Sequence, residues 1–291
     1  MRKLTAVAGE KDAGRKVKFF VRGDMGVSYG QFTSLKEREG LRVNGAPVHA
    51  NYALRPGDVV SVFLPDGPGK TVTPEDGPVN VIYEDEDLLI LDKPAPLACQ
   101  CSPKQPGGTL ENRLAFRYPG LPFRPLNRLD RGTSGLMAAA KNAHAAQRLQ
   151  RQLHTDACLR EYLAVVEGAM AGEGVIDAPI AKADGATVKR VVDFERGRPA
   201  VTHYQVEVTG EKHSLVRLRL QTGRTHQIRV HLAHLGHPIA GAFLYGTELP
   251  ELPGRFALHS TYIRLNHPVT GEVIERESPL PEALAALLED E

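Results

Sequence analysis

One carboxylate stands between two arginines in Arg124-Pro125-Leu126-Asn127-Arg128-Leu129-Asp130-Arg131-Gly132-Thr133-Ser134-Gly135-Leu136. Positive charge on both sides favours the ionised form of Asp130. The segment reads as a loop running into a strand, the kind of place where a rigid scaffold presents a reactive group. A blander role is open as well, with Asp130 capping a turn or pairing with Arg128 on the surface. Other chemistry is poorly supported. His226, His231, His234 and His237 crowd one segment, but no His-Glu-x-x-His and no acidic third ligand accompanies them. Cys99 and Cys101 lack a second cysteine pair, and Cys158 is alone. No glycine-rich phosphate loop is present. The expectation is a reaction that uses neither a metal nor a cofactor.

The elements that must position Asp130 follow from pattern. Val79 to Asp92 carries two apolar runs around Glu84-Asp85-Glu86-Asp87, a hairpin pattern closed by Lys93-Pro94. Thr109 to Tyr118 reads as a helix, and Leu136 to Lys141 as a short apolar strand. Asn142 can cap a helix with Ala146, Leu149 and Leu153 on one face, ending near His154. Tyr162 to Val166, His203 to Val208 and Leu215 to Leu220 read as strands, and Thr225 to Leu235 as a helix stopped by Gly236. Strands and helices mix without regular alternation, so the expected class is α+β.

Before these lies a small basic unit: a helix over Tyr29 to Glu39, a strand-turn-strand over Leu41 to Val48, and a turn and strand over Leu54 to Phe63. Pro65 to Pro78 is dense in proline, glycine and acid, which defeats helix and ladder alike. The expected organisation is a domain over 1–65, a linker over 66–78 and a main domain over 79–291.

The whole chain of 291 residues is nearly neutral, with 36 basic and 35 acidic side chains, yet charge is segregated. Residues 1–65 hold 11 basic and 6 acidic groups, residues 66–92 hold 1 and 8, and residues 100–160 hold 10 and 3. Clustered arginine suits phosphate oxygens, which the guanidinium fork matches in pairs. An apolar fraction of 42% excludes a disordered chain. No stretch approaches the roughly 20 apolar residues of a membrane span, and the first residues lack a signal-peptide core, so a cytoplasmic protein is expected; a monomer is expected as well.

The Asp130 segment resembles the signature of the RluA-type pseudouridine synthases, His-Arg-Leu-Asp, two variable positions, then Thr-Ser-Gly-Leu. Three further blocks agree in order: Val81 to Pro94, Arg160 to Gly168, and Thr222-Gly223-Arg224-Thr225-His226-Gln227-Ile228-Arg229-Val230-His231. The resemblance covers about Val79 to Glu275. It implies a mixed, mostly antiparallel sheet with flanking helices, and an enzyme that detaches uracil from ribose in RNA, turns the base and rejoins it through carbon. It further implies that Asp130 is the essential carboxylate, Tyr162 the aromatic that stacks on the base, and Arg224 the cation that orients Asp130, with Arg128 beside the substrate. The carboxylate could attack the sugar or remove a proton from it, and both first steps stay open. The sequence departs from the family pattern at Asn127, Gly132, Cys99 to Ser102 and Ala242. Those departures support an alternative, an RNA-binding or assembly factor on a degenerate synthase scaffold.

Residues 15–65 resemble the RNA-binding domain of ribosomal small-subunit protein four, through Ser34 to Gly45 and Leu54 to Asp58. That resemblance implies a positive face of Lys36, Arg38 and Arg42 for the phosphates of a ribosomal or transfer RNA.

Overall fold

The computed structural model describes residues 2–37, 40–66, 71–153, 155–186 and 188–289. The N-terminal part contains β1 (Arg2–Val7), α1 (Val17–Gly23), α2 (Tyr29–Glu37), β2 (Leu41–Val43), β3 (Ala46–Pro47) and β4 (Val59–Leu64). Its strands form one antiparallel sheet in the order β1-β4-β2-β3. Asn44 and Gly45 both take positive φ, at 50° and 82°, which closes the β2–β3 hairpin with the twist that paired strands need. Leu4, Val17, Phe20, Val21, Phe32, Leu35, Val60 and Val62 pack into an apolar cluster of their own.

The larger part begins with β5 (Asn80–Glu84), β6 (Leu88–Lys93), α3 (Leu110–Arg117), β7 (Arg124–Pro125), β8 (Ser134–Ala140) and α4 (Ala143–Gln152). It continues with β9 (Cys158–Glu167), β10 (Glu173–Asp177), β11 (Ile180–Lys182), β12 (Arg190–Val192), β13 (Val201–Val208), β14 (His213–Leu220) and α5 (Gln227–His234). β15 (Leu258–Asn266), β16 (Val273–Glu277) and α6 (Glu282–Ala285) complete it. The principal sheet runs β10-β13-β14-β9-β15-β8-β6-β5, with β16 beside β15 and β7 beside β8. Every pairing in it is antiparallel except β8 with β15. The class is therefore α+β with a mostly antiparallel sheet.

Both faces of the sheet are covered, which explains the apolar runs. In β6, Leu89 and Leu91 face one cluster with Met137, Tyr162, Leu218 and Phe256, while Leu88 and Ile90 face another with Leu136, Leu149 and Ile263. All seven residues of β8 are buried, as expected for a central strand with no wet face. Asn142 caps α4 by accepting from Ala145 N at 2.9 Å.

Two expectations are adjusted. The last long helix starts at Gln227 rather than Thr225, because His226 has φ 58° and the preceding residues form a turn. β1, α1, β10 to β12, β15 and β16 add elements that pattern alone did not indicate. Arg38, Glu39, His154 and linker residues 67–70 lie outside the described residues. No helix among those described is long and apolar enough to cross a membrane.

Candidate active site

Asp130 sits in the loop between β7 and β8, which is fixed from several sides. Asn127 Oδ1 accepts from Ala138 N at 3.1 Å, and Thr133 N donates to Asp130 O at 3.1 Å. Below it, Leu97 N donates to Arg131 O at 2.9 Å. That buttressing turn is held by the fully buried Lys93, whose Nζ donates to Pro94 O and Leu97 O at 2.9 and 2.7 Å. Burial lowers the Lys93 pKa to about 8. Burial also pushes the Cys99 thiol up, matching its role as a donor to Leu129 O at 3.1 Å.

The cation on Asp130 is Arg229. Its Nη1 donates to Asp130 Oδ2 at 3.0 Å, and the guanidinium is almost fully buried. It lies over the ring of Phe256 at 4.2 Å and of Tyr245 at 4.9 Å. These faces offset part of the cost of a buried cation whose Nε and Nη2 have no hydrogen-bond partner among the described residues. Arg224 was expected in this place, but the structure gives its Nε to Pro199 O at 2.9 Å, outside the ion pair. The physical reason is position: Arg224 projects from an exposed turn, whereas Arg229 enters the interior from the first turn of α5.

Gln227 builds that turn. Its Oε1 accepts from Thr222 Oγ1 and Arg224 N, and its Nε2 donates to Val201 O and Thr202 Oγ1, all at 2.9 to 3.0 Å. The turn brings His226 Nε2 to 3.7 Å from Asp130 Oδ2, while His226 Nδ1 shares a hydrogen bond with Tyr245 Oη at 2.8 Å. Burial lowers the His226 pKa, and the Asp130 carboxylate opposes that shift.

Tyr162 lies in β9, paired with Ser260 of β15 and Leu218 of β14. It lines a narrow cleft of about 70 Å³ together with Asp130, Arg128 and Arg224. Burial raises its phenol pKa, against the pull of nearby Arg160. A wider cleft of about 470 Å³ adjoins it, sharing Asp130, His226 and Arg229 and reaching Phe243. Asp130, Tyr162, Arg224 and Arg128 are thus brought together. Arg42 lies in the N-terminal part, with its guanidinium 5.6 Å from the Phe63 ring centre. Lys36 lies in α2.

The departures from the family pattern are accommodated locally. A Cβ on Gly132 would sit 2.6 Å from Phe256 Cε1, so the glycine admits the ring that carries Arg229. Ala242 is fully buried. The histidine group also resolves into separate roles. His231 bonds Thr202 Oγ1 and Ala178 O through its two ring nitrogens, each at 2.9 Å, and His237 Nδ1 bonds Glu167 O. Among the described residues, Asp85, Asp87 and His267 form the one grouping with metal-like spacing. Asp87 is already engaged by Arg2 and Asn142.

An anchored carboxylate beside a buried aromatic can do base or nucleophile chemistry on a flat substrate group. The sequence model described as RNA pseudouridylate synthase matches residues 87–234. The chain belongs to the RNA pseudouridylate synthase family. It is 37% identical over 276 residues to YjbO of Bacillus subtilis (strain 168), described as an uncharacterised RNA pseudouridine synthase, covering 92% of this chain and 97% of that one. It is 40% identical over 263 residues to ribosomal large subunit pseudouridine synthase D of Xanthomonas campestris pv. campestris, covering 84% and 79%. Among solved structures, human RNA pseudouridylate synthase domain containing 1 superimposes with a TM-score of 0.59 at 29% identity, over 73% of this chain and 89% of that one. Pseudouridine synthases are isomerases acting on RNA, and this chain is one of them. Arg229 and His226 are the site residues that sequence reasoning missed. The available signal was an arginine inside the apolar stretch Ile228-Arg229-Val230, since a cation buried there demands a carboxylate.

Proposed function

We propose that this synthase converts one uridine, or a few, in ribosomal RNA to pseudouridine, with Asp130 as the essential carboxylate. The observation that carries the reading is the Asp130–Arg229 pair at 3.0 Å in a cleft shared with Tyr162. Tyr162 stacks on the extruded base, and Arg224 and Arg128 hold the surrounding RNA at the rim. Asp130 either attacks the sugar or removes a proton from it, the base turns, and C5 replaces N1 on the ribose. The C5 proton leaves to solvent and N1 gains one, so no cofactor enters the balance. Relatives named for the ribosomal large subunit favour ribosomal over transfer RNA. The unit over 1–65 adds affinity through Lys36, Arg38 and Arg42, and the protein works as a cytoplasmic monomer.

The test is to map pseudouridine across all cellular RNA, with and without the intact gene, by a base-specific chemical adduct. Loss at one or a few ribosomal uridines is expected. Loss confined to transfer RNA would overturn the substrate assignment, and no loss anywhere would favour a binding protein on the same scaffold.

A further inference from the structure

We propose that a second cleft, beside the active site, binds backbone phosphates of the RNA strand that carries the target uridine. This inference rests on the proposed reading of the protein as an RNA-modifying enzyme. The cleft measures about 510 Å³ and is lined by Lys182, Arg190, Arg196, Arg198, Arg224 and Thr225, with no carboxylate among its described lining residues.

The way the chain builds this cleft argues for an anionic occupant. β11 and β12 pair so that Lys182 stands directly opposite Arg190. Like charges in that position destabilise a ladder. The backbone of Ile180 then exchanges two hydrogen bonds with that of Arg198, each at 2.9 Å, which brings a third cation alongside. Of these cations, Arg196 is balanced by Asp184 and Asp193, each at 2.9 Å. Arg224 also gives its Nε to Pro199 O; among the described residues Lys182, Arg190 and Arg198 form no ion pair with a carboxylate, and a polyanion supplies their counter-charge.

Two further observations point to a nucleic-acid strand rather than a small anion. Phe194, in the same turn as Arg196, is 72% exposed, an unusual position for a phenylalanine and a suitable face for a stacked base. The cleft is also joined to the chemistry. Arg224 borders both clefts. Arg190 N donates to Tyr245 Oη at 2.9 Å, and that hydroxyl shares its other hydrogen bond with His226, the neighbour of Asp130. A strand whose phosphates lie in the cleft therefore passes the carboxylate.

The experiment is a titration of the full-length protein with fluorescent single-stranded oligouridylate at several salt concentrations. Neutralising two contacts in the double variant Arg190→Gln, Arg198→Gln should make the plot of log affinity against log salt shallower by about 1.4, about 0.7 for each lost phosphate contact. The pair Arg190→Lys, Arg198→Lys, which keeps the charge, should retain the wild-type slope and controls for folding. Phe194→Ala should weaken binding about tenfold at every salt concentration with the slope unchanged. An unaltered slope in the glutamine pair would overturn the proposal, as would inorganic pyrophosphate competing on equal terms with oligouridylate. A lost slope alongside a wild-type protein that makes no pseudouridine would overturn the catalytic reading alone.

Discussion

Asp130 depends on a guanidinium that is itself trapped among aromatic rings. Arg229 cannot swing away without leaving Phe256 and Tyr245, so the carboxylate is held at one azimuth. Lysine would keep the charge but lose the planar face that fits those rings. Arg229→Lys is therefore expected to lower kcat about 100-fold, the cost of a misplaced reacting group, with KM nearly unchanged. Steady-state kinetics on an RNA substrate check this, and a kcat within twofold of wild type would contradict it. That Asp130 and Tyr162 share one cleft was legible in the sequence, because each sits in a local motif of the family resemblance. Arg229 was not, because its partner is 99 residues away and the pair exists only once α5 packs under the loop. The expectation for Arg224 shows the same limit: the block of residues was right and the cation on the carboxylate was another member of it.

At the scale of elements, the β8–β15 junction sets the distance between the Asp130 loop and Tyr162. Gly135 has φ 106°, and a Cβ there would lie 2.2 Å from Ser260 O. Ser260 is the residue that pairs with Tyr162. Gly135→Ala should destabilise the protein by about 3 kcal/mol or more, read as a lower denaturant midpoint. The start of α4 makes a second prediction. His144 is buried there, its Nδ1 without a hydrogen-bond partner among the described residues, and burial lowers its pKa to about 4, with Arg148 acting in the same direction. Between pH 6.5 and 4 the unfolded chain binds a proton that the folded chain refuses, so stability falls as pH drops through that window, by at most about 3 kcal/mol. His144→Gln should flatten that part of the stability curve relative to wild type, and an identical slope in both proteins would contradict the assignment. Apolar runs such as Leu88 to Leu91 were legible because both sheet faces are covered. β15 was hidden because His259, Ser260 and Thr261 are polar yet buried, His259 answering Ser134 and Thr261 answering Ser278 rather than a pattern.

Over the whole molecule, two sheets meet through charge. Arg2, at the start of β1, donates to both carboxylate oxygens of the buried Asp87 at 2.8 and 2.7 Å, and also reaches Glu86. The acidic turn that read as the tip of a hairpin is thus the anchor for the N-terminal sheet. Segregated charge was visible in the sequence, but its partners were not, since Arg2 and Asp87 are 85 residues apart. The basic cleft of β11 and β12 was hidden for the same reason, its cations being gathered from separate segments by strand pairing. What unites these parts is a single claim, that Asp130 performs the isomerisation of an RNA uridine. The most direct test uses ribosomal RNA transcribed with tritium at uracil C5, because the new carbon bond displaces that atom to solvent. Excess purified wild-type protein should release tritium from the modified position. Asp130→Ala should release it more than about 1,000-fold more slowly while binding the same RNA with unchanged affinity. Release by that variant at the wild-type rate would contradict the account.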